Sequence, residues 1–403
     1  MKLDDIKALR TSDGESILLL VLDGLGGLPG EPGGPTELEA AGTPNLDALA
    51  ATGDLGLHLP VGQGITPGSG PGHLALFGYD PLEYRIGRGA LEALGVEFDL
   101  QPGDVAIRAN LCTVDERGRV VDRRAGRIPT EEAIPVCEAL DRIEVPGARV
   151  FVQSVKEHRA LIVVRSEEAS GARIGDTDPG REGVEPLPVV AADGESEPAA
   201  RVMRAWLNGV GDAVGDRTKA NMVLLRGFSQ LPAWPRFPDV FGLESLAIAA
   251  YPMYRGVARL VGMDATAVPE GPEHLVGALE QHGAGRDFVF LHVKATDKAG
   301  EDGDFDAKVA AIEAADAVIP DLRAAFPGVF LVTGDHSTPA IMRSHSWHPV
   351  PFLLAGGPGR GGSSAHGGFG ERACRQGSLG LIRGCELMPL AMARAGRLSK
   401  FGA

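Results

Sequence analysis

Short apolar runs alternate with amphipathic stretches along most of the chain. Ile17–Leu22, Leu246–Ala250, Phe288–Leu291 and Val329–Val332 are apolar throughout, and Asn221–Leu225 is nearly so. Runs this short, without polar alternation, fit strands buried on both faces of a parallel sheet. Helix signals lie between them. Thr43 precedes Pro44 as an N-cap precedes a first-turn proline, and Gly53 supplies the stop. Residues 61–72 are nearly all small or turn-forming and lead into a helix from His73, with Pro71 near its first turn. Strand–helix alternation predicts an α/β fold whose mostly parallel sheet is flanked by helices through right-handed crossovers.

From about residue 103 the pattern changes. Shorter alternating segments appear at Val105–Leu111, Arg149–Gln153 and His158–Arg165, followed by a polar stretch over 166–198. This predicts a smaller α+β unit, residues 103–218, inserted into a core formed by residues 1–102 and 219–403. No internal repeat or long low-complexity linker interrupts either part.

Composition narrows the class. At 403 residues the chain exceeds one small core, and 44% apolar content is ordinary for a globular protein. The net charge of −15 argues against a nucleic-acid or anionic-membrane surface, while a local arginine cluster still leaves a small anionic substrate possible. Cys112, Cys137, Cys374 and Cys385 form no CxxC pair, so reduced thiols in a cytoplasmic protein are expected rather than a disulfide framework or thiolate zinc site. The apolar run at 17–22 is short and ends in an acid, which excludes a signal peptide or membrane span. Nothing in the sequence decides whether the chain forms a homo-oligomer.

The chemistry sits where apolar runs end. Asp23 closes the first, Asp297 follows the run from Phe288, and Asp335 follows the run from Val329, with His336 next to it and His345 and His348 just beyond. Ligand crevices of open α/β sheets form at the carboxyl ends of the strands. Three carboxylates delivered there need compensating charge, and a pair of divalent ions supplies it. Asp297 and Glu301 stand at i and i+4, so a helical turn aligns them. Mixed oxygen and nitrogen ligands suit Mn²⁺ or Zn²⁺ better than Mg²⁺. Asp302, Asp304 and Asp306 read as a solvated acidic loop, and His58, His274 and His282 as surface or core residues. Ser69, between Gly68 and Gly70, reads either as a helix N-cap or as a nucleophile activated by a metal and a helix dipole. A GxSxG elbow is absent. The glycines after Asp23 do not make a dinucleotide fingerprint, because Pro29 stands where the third glycine belongs. They are expected to let the backbone approach an ion or phosphate. Asp122, Arg123, Arg124 and Arg127 form a basic knot suited to clamping carboxylate and phosphate, with His158, Arg159 and Arg255 as weaker candidates.

Seven segments in order, 43–47, 73–81, 87–95, 121–127, 176–179, 288–297 and 333–339, resemble the archaeal-type cofactor-independent phosphoglycerate mutases of the alkaline phosphatase superfamily. The likeness spans almost the whole chain. It implies an alkaline-phosphatase-like core and two divalent ions, one held by Asp23, Ser69, Asp335 and His336, the other by Asp297, Glu301 and His345. The family often carries histidine where this chain has Glu301, and a carboxylate there favours Mn²⁺ over Zn²⁺, with Mg²⁺ the harder alternative. His348 is then expected behind the ligands. The resemblance further implies interconversion of 3- and 2-phosphoglycerate through phosphorylated Ser69, without 2,3-bisphosphoglycerate. Asp122 is the expected base, and Arg123, Arg127, His158 and Arg255 the expected substrate contacts. A metal-dependent phosphomonoesterase, a phosphonate hydrolase or another phosphotransferase such as a homoserine kinase shares the same ligand pattern. A non-catalytic metal-binding protein does not require Ser69.

Overall fold

A computed structural model describes residues 2–168, 171–358 and 368–402. Among the described residues thirteen strands follow in chain order. They are β1 (Ile17–Leu22), β2 (Asp54–Leu59), β3 (Val105–Val114), β4 (Val120–Asp122), β5 (Arg149–Lys156), β6 (Arg159–Arg165) and β7 (Met222–Ser229). The rest are β8 (Ser245–Ala249), β9 (Asp264–Ala267), β10 (Phe288–Val293), β11 (Val329–Thr333), β12 (Val350–Ala355) and β13 (Gly380–Arg383). The chain forms two compact units, Met1–Arg85 with Trp234–Ala403, and Ile86–Ala233.

The first unit is built on an eight-stranded sheet in the order β13-β2-β12-β11-β1-β10-β8-β9. Only β12 runs against its neighbours. β1 is central and buried along its whole length, which is why its sequence shows no alternation. Its register decides the site. Leu22 lies beside Val293 of β10, and Val21 beside both His292 of β10 and Thr333 of β11. The residues that follow these strands, Asp23, Lys294 and Gly334, therefore emerge together at one edge of the sheet. Helices cover the faces, and Leu46, Leu49, Leu279, Ile312 and Leu322 close the core over β1, β10 and β11. Among the described residues no helix is long and apolar enough to cross a membrane.

The second unit is an antiparallel sheet, β4-β3-β6-β5, with β7 also paired to β3. Leu140, Met203 and Trp206 pack on one face against Ile107, Leu111 and Ile162. Ala90 and Ala93 of the helix Arg88–Gly95 pack on the other against Ala106, Leu161 and Val163. The sequence boundaries shift accordingly, from 103 and 218 to 86 and 233. The run from Asn221 read as a strand of the large sheet, yet β7 pairs with β3 from Ala106 to Cys112. An apolar run fixes the burial of a strand but not its partner.

Candidate metal and catalytic centre

Asp23 directly follows β1 and is 0% exposed. Its Oδ2 accepts from the Tyr254 hydroxyl, from His292 Nε2 at 3.1 Å and from Lys294 Nζ at 3.0 Å. Burial raises this carboxyl, but His292, His336 and Lys294 outweigh it and hold the group well below the usual carboxylate range. The other oxygen, Oδ1, is buried without a hydrogen-bond partner. Asp335 shows the same split. Its Oδ1 accepts from Gly24 N at 3.1 Å, and its buried Oδ2 has no hydrogen bond. Burial raises Asp335, and so does Asp23, yet His336 and His73 bring it below its ordinary value.

His336 stands between them. Its Nε2 lies 3.3 Å from Asp23 Oδ1, from Asp335 Oδ2 and from Ser69 Oγ. When the His336 ring is neutral, Thr338 settles which of its nitrogens carries the proton. The single Thr338 hydroxyl proton goes to Asp297 Oδ1 at 2.6 Å, so its oxygen accepts from His336 Nδ1 at 3.0 Å. In that neutral ring the Nε2 lone pair faces Asp23 Oδ1 and Asp335 Oδ2, the latter also approached by His73 Nδ1 at 3.2 Å. Asp23, Asp335 and His336 thus offer three ligand atoms mutually within 4.8 Å, a donor set suited to a cation.

A second group adjoins the first. Asp297, His336 and His345 also offer ligand atoms within 4.8 Å of one another. His345 Nδ1 donates to Pro67 O at 3.0 Å, which leaves Nε2 for Asp297 Oδ1 at 3.6 Å. Asp297 does not close a strand: β10 ends at Val293, and Asp297 sits in the first turn of the helix Ala295–Asp302. That helix aligns Glu301 with it, one turn on. Glu301 is exposed, with Oε1 3.6 Å from His345 Nε2, and is not among the mutually close donors.

Ser69 is the first residue of the helix Ser69–Leu76, with Gly68 at the cap position, so the N-cap reading does not hold. Gly72 lets this helix approach: a Cβ there would lie 2.5 Å from Asp335 O. His73, one turn on, binds Ser69 O at 2.8 Å and faces Asp335 Oδ2 at 3.2 Å. Burial lowers its affinity for a proton, but Asp335 overrides this and raises it. The glycines after Asp23 serve protein contacts rather than open space. Gly24, at φ +65°, passes Thr338 Oγ1 and Asp297 Oδ1, where a Cβ would stand 2.5 and 2.8 Å away.

His348 bonds Ser346 Oγ at 3.1 Å and stacks on Trp347. His58 is a core residue bonded to Thr333 and Gly334, and burial lowers it to about 4. Asp304 caps the helix Phe305–Ala317. Arg255 is buried and donates to the carbonyls of Ala249 and Ala250. In the second unit Asp122 accepts from the backbone of Arg124 and Gly126, at 2.7 and 2.6 Å. Arg123 makes a bidentate pair with Asp178, both bonds 2.8 Å. Arg127 is exposed, and its positive charge joins those of Arg159 and Arg124 in lowering the buried His158, after burial itself. The sequence reading missed Tyr254, His292, Lys294 and Thr338. Of these, His292 and Lys294 had a signal, since they flank the end of the β10 run.

Comparison with known proteins supplies the family. A family model described as 2,3-bisphosphoglycerate-independent phosphoglycerate mutase matches residues 50–217. A chain of Thermus thermophilus, named a probable 2,3-bisphosphoglycerate-independent phosphoglycerate mutase, is 49% identical over 99% of this chain and 98% of its own. One of Aquifex aeolicus with the same name is 46% identical over the full length of both. The solved cofactor-independent phosphoglycerate mutase of Thermoplasma acidophilum matches at a TM-score of 0.75 and 31% identity, covering 95% of this chain and 100% of that one. A shared core topology and near-complete coverage at such identity make the assignment plain: the chain belongs to the 2,3-bisphosphoglycerate-independent phosphoglycerate mutase family, enzymes that interconvert phosphoglycerates.

Proposed function

We propose that the chain exchanges phosphate between the 3- and 2-hydroxyls of glycerate by way of Ser69. The observation that carries this reading is the convergence of Asp23 Oδ1, Asp335 Oδ2 and Ser69 Oγ on His336 Nε2, each 3.3 Å from it. Asp23, Ser69, Asp335 and His336 would hold one divalent ion, and Asp297, Glu301 and His345 the other, with Mn²⁺ favoured by the carboxylate at 301. Bound there, the ions would neutralise phosphoryl oxygens and lower the pKa of a nearby hydroxyl.

The chain's own groups do the rest. Ser69 Oγ attacks phosphorus and its proton passes to a neighbouring base. The bond from phosphorus to the C3 oxygen breaks, and that oxygen, protonated by the conjugate acid of the base on glycerate, leaves as the glycerate hydroxyl. After glycerate reorients, its C2 hydroxyl gives up a proton, attacks phosphorus and releases Ser69. Asp122 is our candidate base on glycerate; each of its oxygens keeps a lone pair beyond its single backbone bond. Arg123, Arg127 and His158 are our substrate contacts, with Arg255 fixing the end of β8. Lys294 pairs with both Asp23 and Asp297, at 3.0 and 2.6 Å, and its charge helps hold the Asp23 carboxyl below the usual range. A phosphorylated substrate does not cross membranes, which supports a cytoplasmic setting.

The test is an enolase-coupled assay with 3-phosphoglycerate, without bisphosphoglycerate, with Mn²⁺ present or chelated. Metal-dependent turnover that Ser69→Ala abolishes is expected. Release of inorganic phosphate without 2-phosphoglycerate would move the assignment to a phosphohydrolase.

A further inference from the structure

Lys308 is 0% exposed in the helix Phe305–Ala317, an unusual place for an ammonium. It donates to three main-chain carbonyls, Gly24 O at 2.9 Å, Gly26 O at 3.1 Å and Thr338 O at 2.8 Å. Three acceptors require three donors, which only the protonated amine supplies. Two of the carbonyls belong to the loop that follows Asp23. The third belongs to the segment that follows His336. Backbone bonds join the same segments, since Thr338 N donates to both Gly24 O and Gly26 O.

Glu37 completes the arrangement. It too is 0% exposed, and its Oε1 accepts from Ala340 N at 2.7 Å, on the far side of Thr338. Its Oε2 is buried without a hydrogen bond and faces Gly27, where a Cβ would stand 2.0 Å away. Burial lowers the Lys308 ammonium, and Glu37 is the strongest of the carboxylates that oppose this.

Resting on the metal reading above, we propose that Lys308, with Glu37 as its counter-charge, is a positioning pair for the metal centre. It ties the Asp23 loop to the His336–Thr338 segment, so that the ligands keep their spacing before any ion arrives. Neither residue offers an atom to the ion. Their influence passes through the backbone to Asp23, and through Thr338 to His336 and Asp297.

The experiment titrates Mn²⁺ into metal-free protein and follows bound ion by electron paramagnetic resonance and calorimetry. Lys308→Met should weaken binding by about 10–100-fold, the range for partners that orient ligands. It should also lower kcat at limiting metal, recover it at saturating metal, and leave the KM for phosphoglycerate unchanged. Ile312→Val, buried on the same helix, serves as the control for a merely structural loss: a lower Tm with unchanged affinity. If Lys308→Met does not fold, Glu37→Gln keeps the shape and the acceptor for Ala340, and should weaken binding at least threefold. Folded Lys308→Met, or in its stead Glu37→Gln, with wild-type affinity overturns the proposal alone. A wild-type protein that binds no Mn²⁺ overturns the metal reading and this proposal together.

Discussion

Replacing Thr338 with valine removes one hydroxyl and changes little else in shape. The position is 0% exposed, so no water takes the hydroxyl's place. Asp297 Oδ1 loses a 2.6 Å donor and His336 Nδ1 loses its acceptor at 3.0 Å. A hydrogen bond to a charged group is worth about 1.5–3 kcal/mol, and a buried polar atom left without a partner costs about 1–3 kcal/mol. Freed from Thr338, His336 can carry its proton on Nε2, where two carboxylate oxygens wait at 3.3 Å. That tautomer has no lone pair on Nε2 to offer an ion between Asp23 and Asp335. A loss of about 2 kcal/mol in metal binding corresponds to roughly 30-fold in Kd. Calorimetric titration of Mn²⁺ into metal-free Thr338→Val should show it, with Thr338→Ser, which keeps the hydroxyl, close to wild type. Equal affinity for the valine and serine variants would refute the tautomer argument.

Three further outcomes follow from other parts of the chain. Burial raises Glu371 from 4.5 to about 7, although Thr36, Gly27 and Lys308 favour its anion. The folded state thus holds this proton to higher pH than the unfolded state, and stability falls as pH climbs from about 4.5 to 7, by about 3 kcal/mol at most. Glu371→Gln should gain on wild type in urea unfolding between pH 5 and pH 8, and an equal difference at both pH values would contradict it. Arg123→Met strips the bidentate partner from Asp178, whose side chain is 2% exposed. A loss of about 2 kcal/mol in thermal or urea melts is expected, whereas an unchanged melt with a raised KM would make Arg123 purely a substrate contact. Removing metal by chelation should lower Tm, since ions at 100 times their Kd contribute about 2.7 kcal/mol. Restoring Mn²⁺ should reverse the shift, and a Tm indifferent to chelation would speak against resident ions.

The parts legible in the sequence share a physical character. β1, β10 and β11 are buried on both faces, so their runs carry no polar interruption, and the acids beyond them announce the site. Asp23, Asp335, His336 and His345 stand out because acids and histidines have few uses at strand ends, whereas Ser69 by itself reads equally as a helix N-cap. Tyr254 and Thr338 do not, because a tyrosine or threonine is unremarkable until its neighbours are known. Strand β7 was assigned to the wrong sheet for a related reason: pairing depends on hydrogen-bond partners distant in the chain, and an apolar run is compatible with either sheet.

What this chain's sequence determined alone is local: which segments extend, which coil, and which side chains bring oxygen or nitrogen to a strand's end. Only the tertiary structure decided that Leu22 lies beside Val293, and Val21 beside Thr333, which gathers Asp23, Lys294 and Asp335 at one edge. It also decided the tautomer of the neutral His336 ring. Thr338 donates a hydrogen bond to Asp297, forty-one positions before it, and accepts one from His336, two positions before it, so the lone pair that faces Asp23 and Asp335 is set by these two partners. Burial and charge at such a site depend on distance through space, and distance along the chain does not encode it.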